Sequence, residues 1–261
     1  QVYAGMVDAL DENIGRLLGY LEEIGELENT YIFVLSDNGA EGNDHSVIGS
    51  YASWLQAYRD NSVGNIGNPT SFDSYGPGWG QVSSTPFRLF KGFTTEGGIR
   101  SPLIVIEPRA TGGGRISNDV ISVTDLAPTI LDIAQVKPPD GLYRGREVAS
   151  FIGSSFLSRI QGNQQKEDMG SDYLGFELFG RKGLRQGEWK LVWSNAPYGK
   201  DGWELYNLND DPAEQNDLAG ERPDMVERLA ALWDGYAQEN GVVWLENDPV
   251  SYTNENRHYE D

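Results

Sequence analysis

The run Tyr31-Ile32-Phe33-Val34-Leu35 constrains the fold more than any other stretch of the chain. Its five apolar residues follow one another without alternation. A continuous run of this length suits a strand buried on both faces, as in a parallel sheet. Ser36-Asp37-Asn38-Gly39 ends it abruptly with small turn formers. Ahead of it, Val2, Met6, Leu10, Ile14, Leu17, Leu18 and Leu21 recur at three and four residues and predict an amphipathic helix. Gly25 is its expected stop. Residues 43–86 read as a long irregular loop, rich in Gly, Asn, Ser and aromatics, with one short helix around Trp54 to Tyr58. Leu103 to Ile106 is a second apolar run. Thr124 then reads as the cap of a helix carrying Leu126, Ile130, Leu131 and Ile133, with Pro128 near its first turn. Helix, strand, loop, strand, helix in this order predicts an α/β fold.

The texture changes between about residues 140 and 170, where Gly, Ser and Gln dominate. Short runs with turns between them follow at Glu177 to Phe179, Leu184-Arg185, Trp189 to Trp193 and Trp203 to Tyr206. They predict a small antiparallel sheet. Pro223 opens a last helix with Met225, Leu229, Leu232, Trp233 and Tyr236 on one face, stopped by Gly241. The expected division is residues 1–165, an α/β part, and residues 166–261, a small α+β subdomain. The polar tail from Asn247 is expected to pack loosely.

Charge narrows the partners. Forty acidic residues against twenty Lys and Arg leave a formal charge of −20. Phosphate backbones need clustered cations, so nucleic acid is not the expected partner. No apolar run approaches about 18 residues, so no membrane-spanning helix is expected. Cysteine is absent, which excludes disulfides and thiolate metal sites within these residues. The chain opens on Gln1 with no basic-then-apolar leader, so upstream sequence is expected to be missing.

Asp37-Asn38 is the first candidate for chemistry. It follows the carboxyl end of a predicted parallel strand, the edge where open α/β sheets bind ligands. A carboxylate beside an amide oxygen suits a hard cation such as Ca²⁺ or Mg²⁺. Locally, an Asx turn that ends a strand explains the pair as well. Lys91 is the second candidate, in Phe87-Arg88-Leu89-Phe90-Lys91-Gly92-Phe93. An ammonium there suits phosphate or sulfate; a snorkelling surface lysine is the ordinary alternative. Arg100 reads equally well as a structural ion-pair partner. His45 and His258 are the only imidazoles, and two histidines do not furnish a His-rich dizinc site. Asn207, Asn209 and Asp211 imitate the opening of a calcium loop. Pro212 stands where that loop needs Gly, and Leu218 where it needs Glu, so the imitation is rejected.

Three stretches, taken in order, resemble the sulfatase family. Ser36-Asp37-Asn38-Gly39-Ala40-Glu41-Gly42 after an apolar strand is similar to the family's metal turn. Lys91 followed by Phe93-Thr94-Thr95-Glu96-Gly97-Gly98-Ile99-Arg100 resembles its sulfate-binding lysine segment. Trp203-Glu204-Leu205-Tyr206-Asn207-Leu208, running into Asp210-Asp211-Pro212-Ala213-Glu214 and Asn216-Asp217-Leu218, is similar to its C-terminal signature. The resemblance covers about residues 1–245. Asp60-Asn61-Ser62, Asn65-Ile66-Gly67 and Tyr75-Gly76-Pro77 point to the bacterial arylsulfatases typified by the Pseudomonas enzyme.

The resemblance implies part of an alkaline-phosphatase-like parallel or mixed sheet with flanking helices, plus the small C-terminal sheet and helix. It implies metal-dependent hydrolysis of small-molecule sulfate esters, with Asp37 and Asn38 as Ca²⁺ ligands and Lys91 as a catalytic and substrate-binding sulfate contact. The family's nucleophile is a formylglycine made from Cys or Ser in a Cys/Ser-x-Pro-x-Arg motif, and that motif is not in this sequence. The chain therefore looks like a C-terminal half, expected to be inactive alone and to need its N-terminal half as partner. The compartment stays open between bacterial cytoplasm and periplasm. Two rival readings remain: a phosphonate or phosphate monoester hydrolase of the same superfamily, and a non-catalytic acidic binding module.

Overall fold

The computed structural model describes residues 2–47, 49–108, 114–139, 141–162 and 173–243. His258 and the tail from Asn247 lie outside the described residues, as does 163–172 of the expected boundary. Contacts group the chain into two compact units. The first takes in residues 1–12, 38–101 and 173–261, and the second residues 13–37 and 102–172.

In the second unit, α1 (Val2–Glu23), which begins in the first, leads to β1 (Ile32–Leu35). Gly25 ends the helical path with φ 74°, a conformation that costs glycine nothing. The strand pairs with β2 (Leu103–Ile106), but antiparallel, Ile32 facing Ile106 and Leu35 facing Leu103. The parallel expectation for this strand is therefore corrected. An apolar run of this length carries no direction of its own. Nor is β1 covered on both faces: it is half-buried, and Leu35 is exposed. The helix α5 (Leu126–Ile133) forms as predicted, with Pro128 in its first turn. Its cap is different. Ser122, not Thr124, caps the 3₁₀ turn Val123–Asp125 that leads into it, accepting from Thr124 N while Asp125 accepts from Ser122 N at 2.8 Å. Thr129, buried on α5, accepts from Phe156 N at 3.0 Å and ties down the segment before α6 (Leu157–Ile160). Between the two helices, β3 (Leu142–Tyr143) pairs antiparallel with β4 (Arg146–Glu147).

In the first unit, residues 43–86 are more helical than expected. They contain α2 (Gly49–Tyr58) and α3 (Gly76–Ser84). The short α4 (Glu96–Ile99) is the Gly-Gly segment after Lys91. The small C-terminal sheet is present as predicted, in the order β5 (Leu174–Leu178), β6 (Arg181–Gln186), β7 (Trp189–Ser194) and β8 (Gly202–Asn207), all antiparallel. The last helix, α7 (Pro223–Glu239), packs on one face of it. Leu184, Leu191, Leu205, Leu229 and Trp233 form that core, and Trp233 Nε1 donates to Phe176 O at 3.1 Å. Gly175 is required where it stands, because a Cβ there would meet the Tyr236 ring at 2.3 Å.

Side chains alternate across a strand, and both faces of this sheet are covered. The face away from α7 carries Arg181, Gly183 and Arg185 on β6, Lys190 and Val192 on β7, and Glu204 and Tyr206 on β8. Most of these are polar, and Arg181, Lys190, Glu204 and Tyr206 are buried. What buries them is the segment 88–100.

Candidate functional site

The turn after β1 and the Lys91 segment meet through their backbones. Gly39 N donates to Gly98 O at 2.9 Å, and Lys91 N donates to Ala40 O at 2.9 Å. The approach is close enough to require glycine. A Cβ at residue 39 would lie 2.0 Å from Gly97 O, and one at residue 97 would lie 2.1 Å from Leu89 O. Two sequence-predicted site residues, Asn38 and Lys91, are thus carried by segments that interlock within one unit. Asn38 is half-buried. Asp37, its neighbour in sequence, closes the second unit's first segment and is exposed.

The Lys91 ammonium pairs with Glu41 Oε2 at 2.9 Å. Sequence reasoning quoted Glu41 within the turn but gave it no role. The two side chains are 39% and 34% exposed. Half-exposed pairs of this kind contribute about 0–1 kcal/mol, so an incoming anion competes for the ammonium at little cost. Glu41 also accepts from Asn43 N at 3.0 Å, which fixes the loop leading to His45. His45 sits in an aromatic cluster, 4.8 Å from the Tyr51 ring.

As to a metal, Asp37 and Asn38 offer oxygens, the donor chemistry a hard cation takes. Calcium needs six to eight oxygens, and the described residues hold no cluster of three or more His, Asp or Glu side chains suited to a metal. The pair fits calcium in kind and supplies only part of a coordination shell. Asn207 and Asp211, rejected as calcium ligands, are turn caps: Asn207 Oδ1 accepts from Asn209 N, and Asp211 Oδ2 from Gln215 N and Asn216 N.

Behind Lys91 lies a buried charge network. Lys190 Nζ sits 2.8 Å from Glu96 Oε1 and 3.7 Å from Glu214 Oε1, and all three side chains are buried. Arg100 and Arg185 reach Glu96 Oε2 at 3.7 and 3.9 Å. The reading of Arg100 as a structural ion-pair partner agrees with this placement. Burial raises both carboxyls. At Glu96 the charges of Lys190, Arg185 and Arg100 outweigh it and hold the pKa below the ordinary value. At Glu214 burial prevails over Lys190 and the backbone N–H of Glu96, and the pKa is raised. A second group lies beside it. Arg88 Nη1 donates to Glu204 Oε2 at 2.9 Å and to the Tyr206 hydroxyl at 3.2 Å, and the Tyr206 hydroxyl donates to the same carboxylate. Burial and Glu204 keep that hydroxyl protonated far above its ordinary range. Sequence reasoning missed both groups. The available signal was charge at alternate positions of strands whose other positions are apolar, as at Lys190 between Trp189 and Leu191.

Residues 1–136 match the family described as Sulfatase, and residues 87–236 match N-sulphoglucosamine sulphohydrolase, C-terminal. An uncharacterised sulfatase of Schizosaccharomyces pombe is 41% identical over 253 residues, which are 96% of this chain and 45% of the relative. An arylsulfatase of Klebsiella aerogenes is 35% identical over 161 residues, 61% of this chain and 34% of the relative. Among solved structures, one in complex with its substrate, D-glucosamine-2-N,6-O-disulfate, superposes with a TM-score of 0.59 at 26% identity. That match covers 94% of this chain and 41% of that one. The chain spans less than half the length of these relatives.

Proposed function

Because the chain belongs to the sulfatase family, we propose that the polypeptide carrying it hydrolyses sulfate esters of small molecules. The observation that carries the proposal is the interlock of the 38–41 turn with the Lys91 segment, which presents an ammonium on a rigid backbone. Lys91 would leave Glu41 for a sulfate oxygen and offset charge that grows on the ester as the S–O bond breaks. Asp37 and Asn38 would hold a calcium ion, with further ligands from outside this chain. When bound, that ion would supply Lewis-acid polarisation of the sulfate. The formylglycine nucleophile that the family resemblance implies would likewise come from outside residues 1–261. The arylsulfatase specificity stands on the quoted motifs and on the Klebsiella relative.

A second observation supports the need for further polypeptide. The helix α1 buries none of its residues, and Met6 and Leu10 are 65% and 61% exposed. Apolar area of this kind on one helix suits cover by another segment. We propose that the N-terminal half supplies it and completes the site.

The test is turnover of an aryl sulfate by the full polypeptide, with an aryl phosphonate in parallel. Lys91→Ala is expected to lower sulfate turnover by about 10²–10³, the range for one preorganised charge contact. A variant within about twofold, or about 0.4 kcal/mol, would return Lys91 to an ordinary surface lysine. Faster turnover of the phosphonate would favour the phosphonate hydrolase reading instead.

A further inference from the structure

We infer that Arg181, on the C-terminal sheet, is a positioning residue for Lys91. This rests on the sulfate-contact reading of Lys91 given above. A lysine head on a four-carbon stem is flexible, so its placement depends on where the backbone beneath it is held. On one side the Lys91 backbone is held by Ala40 O. On the other side the next residue is held by Arg181, whose guanidinium Nη1 donates to Gly92 O. Arg181 is buried, as are Gly92 and Phe93. The same guanidinium lies 4.4 Å over the Phe93 ring. Gly92 has φ 95°, a left-handed conformation that points its carbonyl into the sheet and turns the chain sharply after Lys91.

The remaining contacts anchor the same turn to the same face. Thr94 Oγ1 donates to Lys182 O at 2.9 Å. Phe93 packs between Phe90 at 5.5 Å and Tyr198 at 4.9 Å. A Cβ on Gly183 would press on Thr94 at 3.0 Å, so the strand carrying Arg181 sits directly under the loop. A planar fork makes two kinds of contact at once, to a carbonyl edge and to a ring face, which an ammonium does not reproduce. Misplacing a reacting group by about 1 Å costs about 10²-fold in rate. The β5–β8 sheet thereby acts on the chemistry through Lys91 without touching the ester.

The experiment is a double-mutant cycle in the full polypeptide, read as kcat and KM for an aryl sulfate, with Arg181→Lys, Lys91→Ala and the pair. Tryptophan fluorescence on heating establishes that each variant is folded. The expected result is that Arg181→Lys lowers kcat by about tenfold or more with KM changed less than kcat. In the Lys91→Ala background the same change should cost less than about twofold, because the group being positioned is gone. Equal losses in both backgrounds, or a loss under about twofold in the parent, would overturn the inference while leaving Lys91 a sulfate contact. No loss on Lys91→Ala alone would overturn the Lys91 reading itself, and the inference with it. Should Arg181→Lys fail to fold, Arg181→Gln, which keeps a donor but removes the guanidinium from Gly92 O and the Phe93 ring, carries the same cycle with the same criteria.

Discussion

Replacing Lys190 with methionine should destabilise the first unit severely, and the structure sets the scale. The ammonium is fully buried, 2.8 Å from Glu96 and 3.7 Å from Glu214. Methionine keeps most of the stem volume and removes the charge. Glu96 is then left with Arg100 and Arg185 at 3.7 and 3.9 Å, both more exposed and outside hydrogen-bond range. Breaking a buried pair by removing one partner costs about 3–5 kcal/mol. Glu214 softens the loss, since burial already raises its pKa and it can take up a proton. That places the expected cost near the lower limit, about 3 kcal/mol. For a unit of this size it corresponds to a Tm lowered by about 6–12 °C. Trp189, Trp193, Trp203 and Trp233 all lie in the sheet and helix concerned, so intrinsic fluorescence reports the transition. The double variant Lys190→Met with Glu96→Gln should recover part of the loss, because no uncompensated carboxylate then remains at residue 96. A single-variant cost under about 1 kcal/mol, or strict additivity in the double variant, would show that Lys190 and Glu96 do not depend on each other.

Three further outcomes follow from the same geometry. Glu214 faces Lys190, Glu96 and Arg88, and its raised pKa means the folded protein binds a proton more tightly than the unfolded one. Its contribution is complete below the ordinary glutamate pKa of 4.5 and is lost as pH rises through the native value. Glu214→Gln should therefore gain in stability relative to the parent as pH rises above that value; a difference independent of pH in denaturation curves would contradict the assignment. Gly39→Ala forces a Cβ to within 2.0 Å of Gly97 O and should cost about 1–3 kcal/mol, whereas Gly49→Ala, which meets nothing within 4 Å, should cost far less in the same melt. In the full polypeptide, Asp37→Ala should lower calcium content and sulfate-ester turnover together, and unchanged calcium by elemental analysis would remove Asp37 from the ligand set.

Periodicity made the elements legible, and contacts across long sequence separations stayed hidden. The α7 helix was readable because Met225, Leu229, Trp233 and Tyr236 recur at helical spacing, with Pro223 at its start and Gly241 past its end. The β5–β8 strands were readable because turns punctuate them. The direction of β1 was not. An apolar run states that a strand is shielded and says nothing of its partner, which lies some seventy residues on, at Ile106 for Ile32. The helix α3 was missed because Gly and Pro at its start read as loop, although Pro in a first turn is compatible with helix.

For the site, what the sequence showed as three separate stretches is, in the first unit, a stack. The turn 38–41 hydrogen-bonds to the Lys91 segment, and that segment rests on β6 and on the loop of the C-terminal signature. Glu96, from the second stretch, receives its charge partner from Lys190 and its backbone N–H partner from Glu214, in the third stretch's Asp211-Pro212-Ala213-Glu214. Arg88 joins Glu204 and Tyr206 in the same way. These partners stand 94 to 118 positions apart, so no local pattern links them. Their burial is what gives them meaning. In water each would be one more charge on a chain of net −20. Buried, each demands a partner, and those demands bring the second and third stretches into one register. The third stretch thereby holds the second in place, through Glu214 at Glu96 and Glu204 at Arg88.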